Sequence, residues 1–355
     1  MERSHRYTVP SRIGRSTGSP RARGSGRQGA MMRPFAVLLA LLLATGAVAA
    51  DPLPSWNDVD ARAAIVTFVE AVTDPEADTY VTPADRIAVF DNDGTLWSEQ
   101  PNYFQFLFSL DRLKEMAAKD PSVLTSDVLK TAAAGDMDAI ASNFTEENII
   151  EIVSATHSGM STRAFKADVR AWLDTARNPA TGMAYPQMVY QPMLELLRYL
   201  RDEGFRTYIV SGGGIDFIRV LTLDAYNIPP EQVVGSIGNA RYKVADGTPI
   251  ITKDPGIFFI DDKAGKPLAI ERQLGKRPIF AAGNSDGDFE MLEWTTSGDG
   301  PRLGLFVHHT DAEREFAYDR DSRIGRLNRG LDEADARGWL IVDMKEDWNR
   351  VWPQD

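Results

Sequence analysis

The chain has 355 residues, 43% of them apolar and 25% charged, with a formal charge of −12 and no cysteine. That length suits one large α/β domain carrying an insertion, or two domains. The missing cysteines exclude disulfides, zinc–thiolate centres and thiol nucleophiles, and the acidity argues against a general nucleic-acid or anionic-membrane surface.

Residues 1–30 hold seven arginines and one acid among Ser and Gly, with no apolar periodicity, which is a disordered composition. A basic nucleic-acid-binding arm is the rival reading. Met31 to Ala50 runs from a short charged start through an apolar core to small residues, the pattern of a secretory signal peptide, with translation starting at Met31 or Met32. Cleavage near residue 50 would give an exported protein, periplasmic or secreted, with no membrane insertion. Loss of residues 1–50, which hold eight arginines and one glutamate, takes the formal charge from −12 to −19.

In the mature region, Trp56 to Val72 has the spacing of a surface helix. Ile87-Ala88-Val89-Phe90 is an apolar run suited to a central parallel strand, and Asp91-Asn92-Asp93-Gly94 must turn. Residues 103–178 read as helices punctuated by Asp120-Pro121, Gly135 and Asn178-Pro179, with Phe104, Phe106, Leu107, Phe108, Leu110 and Leu113 as a buried cluster. This predicts a helical cap over 99–185, inserted into a core made of 51–98 and 186–355.

A helix from Gln191 to Asp202 leads into a strand over Arg206–Val210, which ends at Ser211-Gly212-Gly213-Gly214. A further helix runs from Ile215 to about Tyr226. Residues 233–262 read as short strands or hairpins turning at Asp246-Gly247. A helix from about Leu268 to Leu274 precedes the strand Pro278–Ala282 and the loop Gly283–Asp288. Leu303–Val307 is one more strand, ending at His308-His309-Thr310-Asp311. Strands alternating with helices imply a doubly wound parallel sheet.

Three apolar strands thus end in polar, glycine-bearing loops, and parallel neighbours would bring those loops together where α/β sheets bind ligands. Asp91 and Asp93 lie two apart, and two such anions repel unless a cation stands between them; Mg²⁺ is the natural filler. Ser211 with its glycines offers a hydroxyl and open backbone N–H groups that suit a phosphate. The Asn284–Asp288 loop reads alone as a solvated turn or a calcium-loop fragment lacking the twelfth-position Glu. Trp97, Glu99 and Gln100 are candidates for the cap mouth, and His157 would sit in the cap and face the site or solvent. Of His308 and His309, adjacent on a strand, at most one faces a site.

Taken in order over roughly residues 83–310, these motifs resemble the haloacid dehalogenase superfamily, specifically its phosphatases with a helical cap between the first two motifs. The resemblance implies Asp91 as nucleophile and Asp93 as general acid/base. It implies Ser211, with Gly212 and Asn92, as the phosphate-binding group. Lys266 looks like the charge-neutralising lysine, with Lys263 as runner-up. The implied metal set is Asp91, Asp93, Asn284 and Asp288, with Asp286 behind Asp288; Glu99 and His308 are further candidates.

Where many relatives carry an acid after the glycine of the fourth motif, this chain has Asn284, an amide that brings no charge. The dehalogenases do not keep an aspartate at the position of Asp93, so phosphate chemistry is expected. The implied activity is Mg²⁺-dependent hydrolysis of a small phosphate ester through an aspartyl-phosphate. The alternatives are phosphotransfer or pyrophosphate hydrolysis by the same intermediate, and, farther off, non-catalytic phosphate binding. The cap helices carry no oligomer signal.

Overall fold

A computed structural model describes residues 50–143 and 145–353; the expected disordered preamble and signal peptide lie outside the described residues. Seven strands form one sheet in the order β4-β3-β2-β1-β5-β6-β7. They are β1 (Ile87–Phe90), β2 (Arg206–Gly214), β3 (Val233–Ala245), β4 (Thr248–Phe259), β5 (Phe280–Gly283), β6 (Leu303–His308) and β7 (Leu340–Asp343). All neighbours pair in parallel except the β3–β4 hairpin. β1 sits centrally, between β2 and β5. The chain leaves it first toward one edge of the sheet and later returns to the other, so the crevice beyond its carboxyl end is a topological switch point.

The period of two in β1 divides its side chains between two cores. Ala88 and Phe90 pack on the face covered by the helices Asp60–Thr73 and Gln191–Asp202, while Ile87 and Val89 pack against the helices Gly265–Leu274, Phe289–Thr296 and Arg329–Arg337. All four are buried, and each large side chain removed from water contributes roughly 1.5–3 kcal/mol. This double coverage is why the strand reads as a continuous apolar run.

Between β1 and β2 the chain forms the helices Phe104–Lys119, Asp127–Ala134, Met137–Asn143, Glu146–His157 and Thr162–Thr175. Leu110, Leu113, Leu129, Ala132, Ile140 and Ile152 give this cap a small core of its own. The cap also binds the hairpin. The Gly159 N–H donates to the Lys253 carbonyl at 2.9 Å, the Lys253 N–H donates to the Met160 carbonyl at 2.8 Å, and Ser161 pairs with Thr252.

Of the short strands or hairpins expected over 233–262, the structure has one long hairpin turning at Asp246-Gly247 as expected, with φ of 49° and 75° there, the geometry of a tight two-residue connection. Other elements differ from the sequence reading. The helix expected from Ile215 to Tyr226 is broken into Ile215–Ile218 and Thr222–Tyr226, and the helix expected from Leu268 begins at Gly265. β2 runs past Val210 to Gly214, with a register shift between Ser211 and Gly214. β7 and the helix Arg329–Arg337 were not expected at all.

Candidate active site

The first loop is closed by its own backbone. The Asp91 N–H extends the sheet onto the Ala282 carbonyl at 2.9 Å, and the Asn92 carbonyl accepts from the N–H groups of Thr95, Leu96 and Trp97. Gly94 holds φ 76°, and a Cβ there would lie 2.1 Å from the Asn284 amide nitrogen, so only glycine fits. The turn presents Asp91 and Asp93 to a cavity of about 500 Å³ bounded by the sheet end, the hairpin and the cap.

The second loop approaches through the β2 irregularity. Ser211 Oγ accepts from the Gly213 N–H at 3.0 Å and donates to Asp93 Oδ2 at 3.4 Å. Trp97 Nε1 donates to Asp93 Oδ1 at 2.9 Å, so this tryptophan orients the acid instead of lining the cap mouth. The third element supplies Lys266. Its buried ammonium donates to Asp91 Oδ1 at 2.6 Å, Asp288 Oδ1 at 2.5 Å and the Val210 carbonyl at 2.9 Å. In the fourth loop, Asp288 Oδ2 accepts from the N–H groups of Asn284 and Ser285 at 3.0 and 3.1 Å.

The remaining candidates fall in several places. Lys263 is exposed, with φ 51°, and only its backbone N–H reaches this region, at Gly287. Asp286 is turned away, because its carboxylate accepts from the N–H groups of Asn328, Arg329 and Gly330 and so caps the unexpected helix Arg329–Arg337, whose orphan donors need an acceptor. Asn92 is wholly buried and does not line the cavity; its part is the backbone turn. Gly212 does line it. His308 is drawn aside, 3.6 Å from Asp319. Its neighbour His309 points inward instead, with Nε2 at 2.7 Å from the Gly94 carbonyl and its ring stacked on Tyr318. Gln100 donates to Ser322 and the Ile324 carbonyl.

Glu99 is buried beside the first loop and accepts from Asn284 Nδ2 at 2.7 Å and the Tyr318 hydroxyl at 2.8 Å. The chain therefore carries an acid in contact with the amide that replaces one.

Negative charge dominates the electrostatics. Seven carboxylates line the cavity against three cationic side chains. Burial, then the Asp288 charge, pushes Asp91 well above the usual carboxylate range despite Lys266. Burial likewise raises Asp93 and, well above its ordinary value, Glu99. For Lys266, burial pulls downward, but the carboxylates of Asp288 and Asp91 outweigh it and the ammonium is held above its ordinary value. A hard divalent cation would relieve this excess, and Asp91 and Asp93 present oxygen donors for one at the cavity; the Asn284 amide oxygen is buried, does not line the cavity and accepts from the Thr95 hydroxyl at 3.2 Å.

A further buried acid, Asp261, had no signal in the sequence. Both of its carboxylate oxygens are buried without a hydrogen-bond partner, and burial lifts the group from 3.8 to about 7, with Lys266 pulling the other way. An acid raised in the folded state binds its extra proton there between those two values, so stability is greatest near pH 4 and falls as pH rises to about 7. Asp261→Asn should flatten that fall, raising stability at pH 8 by up to about 4 kcal/mol. Denaturant melts of the two proteins at pH 5 and pH 8 check this, and equal pH dependence would contradict it.

The haloacid dehalogenase-like hydrolase family model matches residues 88–293. A protein named phosphorylcholine phosphatase, from Pseudomonas aeruginosa, is 26% identical over 192 residues, covering 46% of this chain and 54% of that one. The chain thus spans about half the length of that curated relative. Among solved structures, a protein of unknown function from Anaerococcus prevotii has 17% identity and a TM-score of 0.47, covering 71% of this chain and 86% of that one. A phosphoserine phosphohydrolase-like protein from Francisella tularensis has 18% identity and a TM-score of 0.37, covering 71% and 98%.

Proposed function

Because the chain belongs to the haloacid dehalogenase-like hydrolases, we propose that it is an exported, Mg²⁺-dependent phosphomonoesterase that works through an aspartyl-phosphate on Asp91. The observation that carries this reading is the buried ammonium of Lys266, shared between Asp91 and Asp288 beside an Asp93 whose pKa is raised.

Asp91 Oδ2, the oxygen that Lys266 leaves free, attacks phosphorus in line while the leaving alkoxide departs. Asp93, whose pKa burial raises and which Trp97 and Ser211 aim, acts as the acid that gives a proton to that alkoxide. As a carboxylate it then takes a proton from the water that cleaves the acyl phosphate. Lys266 keeps Asp91 and the arriving phosphoryl oxygens from repelling each other. No three His, Cys, Asp or Glu side chains cluster at metal-holding range among the described residues. The protein's share would thus be few groups, drawn from Asp91, Asp93, Asn284 and Asp288, whose own carboxylate is engaged by Lys266 and by the Asn284 and Ser285 N–H groups, which fits an ion that keeps much of its water and is completed by substrate phosphate. When bound, Mg²⁺ supplies positive charge for the phosphoryl oxygens.

The cavity exceeds what a phosphate alone needs, which supports a leaving group of several heavy atoms. The named relative makes phosphorylcholine one ester to test. Purified protein should turn over aryl and small alkyl phosphates with Mg²⁺, fall silent in EDTA and recover on adding Mg²⁺. Full activity after exhaustive chelation would overturn the metal assignment, and binding of phosphate esters without turnover of any would favour the non-catalytic reading. Transfer products with an added alcohol acceptor would favour phosphotransfer.

A further inference from the structure

One wall of the cavity is made by three elements that bring chemistry unused in the steps above. Lys253 comes from β4, Asp216 from the short helix behind the glycine loop, and Phe165 from the cap helix Thr162–Thr175; all three line the cavity. The Lys253 ammonium is bonded to the Asp216 carboxylate and stands 4.8 Å above the centre of the Phe165 ring. Lys253 keeps only 8% of its side chain exposed, and Phe165 is fully buried.

A carboxylate set beside the face of an aromatic ring is the chemistry that receives an ammonium. Here the seat is filled by the protein's own. Among the described residues, Asp216 is the single acid within ion-pair distance of Lys253 Nζ, so one of the three ammonium donors is engaged and two remain for a ligand in the cavity.

Of the titratable neighbours, Asp254 is already paired and His157 is neutral. Asp254, also on the cavity wall, pairs with Arg241 at 3.1 Å across the hairpin. His157 Nε2 lies 3.2 Å from Gln105 Nε2, and Gln105 Oε1 accepts the Gly214 N–H at 2.7 Å. The amide nitrogen can only donate, so Nε2 is the acceptor and the imidazole is neutral. Burial, reinforced by Lys253 and Arg112, holds its pKa down to about 3.

We propose that Lys253 determines leaving-group specificity: its tethered ammonium occupies the Asp216–Phe165 seat, so esters of cationic alcohols are rejected and esters whose alcohol carries a carboxylate or a second phosphate are accepted. This rests on the phosphomonoesterase reading. An ion pair that only fastened the hairpin to the core would be indifferent to the charge of the leaving group.

The test compares kcat/KM for phenyl phosphate, 3-phosphoglycerate and phosphorylcholine in the full chain and in Lys253→Met, which keeps length and loses charge. The unaltered protein should prefer 3-phosphoglycerate to phosphorylcholine by at least about 100-fold. The variant should lose at least about tenfold of that preference while phenyl phosphate changes by less than about threefold. Lys253→Arg, which keeps the charge, should retain the preference.

Should Lys253→Met fail to fold, Asp216→Asn frees the lysine from its counter-ion and should raise the 3-phosphoglycerate to phenyl phosphate ratio. Equal treatment of the anionic and cationic esters by the unaltered protein would overturn the proposal, as would a uniform change across all three in the variants. If no ester is turned over, the phosphomonoesterase reading falls, and calorimetry with tetramethylammonium decides the seat by itself. Binding to Lys253→Met and not to the unaltered protein supports the seat; binding to neither refutes it.

Discussion

Asp91→Asn should lower turnover of every accepted ester by at least about 10³-fold, the equivalent of about 4 kcal/mol of transition-state stabilisation, while leaving the fold intact. The amide keeps the volume of the side chain but is a far weaker nucleophile than a carboxylate. Stability should hold or rise, because the substitution removes one of the carboxylates crowding Lys266 and leaves the buried Lys266–Asp288 pair in place. Asp91 itself is lifted by burial and by Asp288, so its charge is carried at a cost to the folded state. Steady-state kinetics beside thermal melts would separate the two effects. Turnover near that of the unaltered protein would refute the covalent route, whatever happened to the melting temperature.

The converse holds at Lys266. Lys266→Met removes the buried ammonium between Asp91 and Asp288 and should cost about 3–5 kcal/mol of stability, as stranding one side of a buried pair does. Turnover should be lost as well. The damage has a pH signature. With the ammonium gone, nothing offsets the burial that already raises Asp91, which takes up its proton more readily in the folded protein than in the unfolded chain, so stability falls as pH rises. The loss should therefore be clearly smaller at pH 5 than at pH 8 in denaturant titrations. An equal loss at both would mean that packing of the lysine stem, and not its charge, holds this part of the core.

What the sequence disclosed about this site follows from where backbone patterns change abruptly. Ile87–Phe90 and Phe280–Ala282 are buried on both faces and end in loops that cannot continue a strand, so the meeting of Asp91, Ser211 and Asn284 was legible from periodicity. The loop beginning at Asn284 was not legible in detail. Asp286 and Asp288 are two apart in one short loop, and what sends Asp286 outward is a helix that starts some forty residues later. Lys253 and Asp216 had no local signal either, since a lysine in a polar hairpin and an acid after a glycine run look solvated until the cap sets Phe165 against the lysine. β7 and its preceding helix escaped notice because this edge strand is mostly half-buried, unlike the fully buried β1 and β5, and runs straight into a helix at Met344 with no polar, glycine-bearing loop to mark its end.

The span bridged by the Asp91–Lys266 bond, 175 residues, bears on the order in which the protein can be assembled. The first loop is synthesised early, yet it stays two unpaired acids on a short apolar strand until β2, β3, the hairpin and the helix carrying Lys266 have followed. Even then β1 lacks its second neighbour, because β5 comes later still. Contacts this distant must overcome a large loop-closure entropy before they return any energy. The bonds that assemble this site are therefore among the costliest in loop closure, and a chain that has not yet reached Lys266 lacks the ammonium that pairs Asp91.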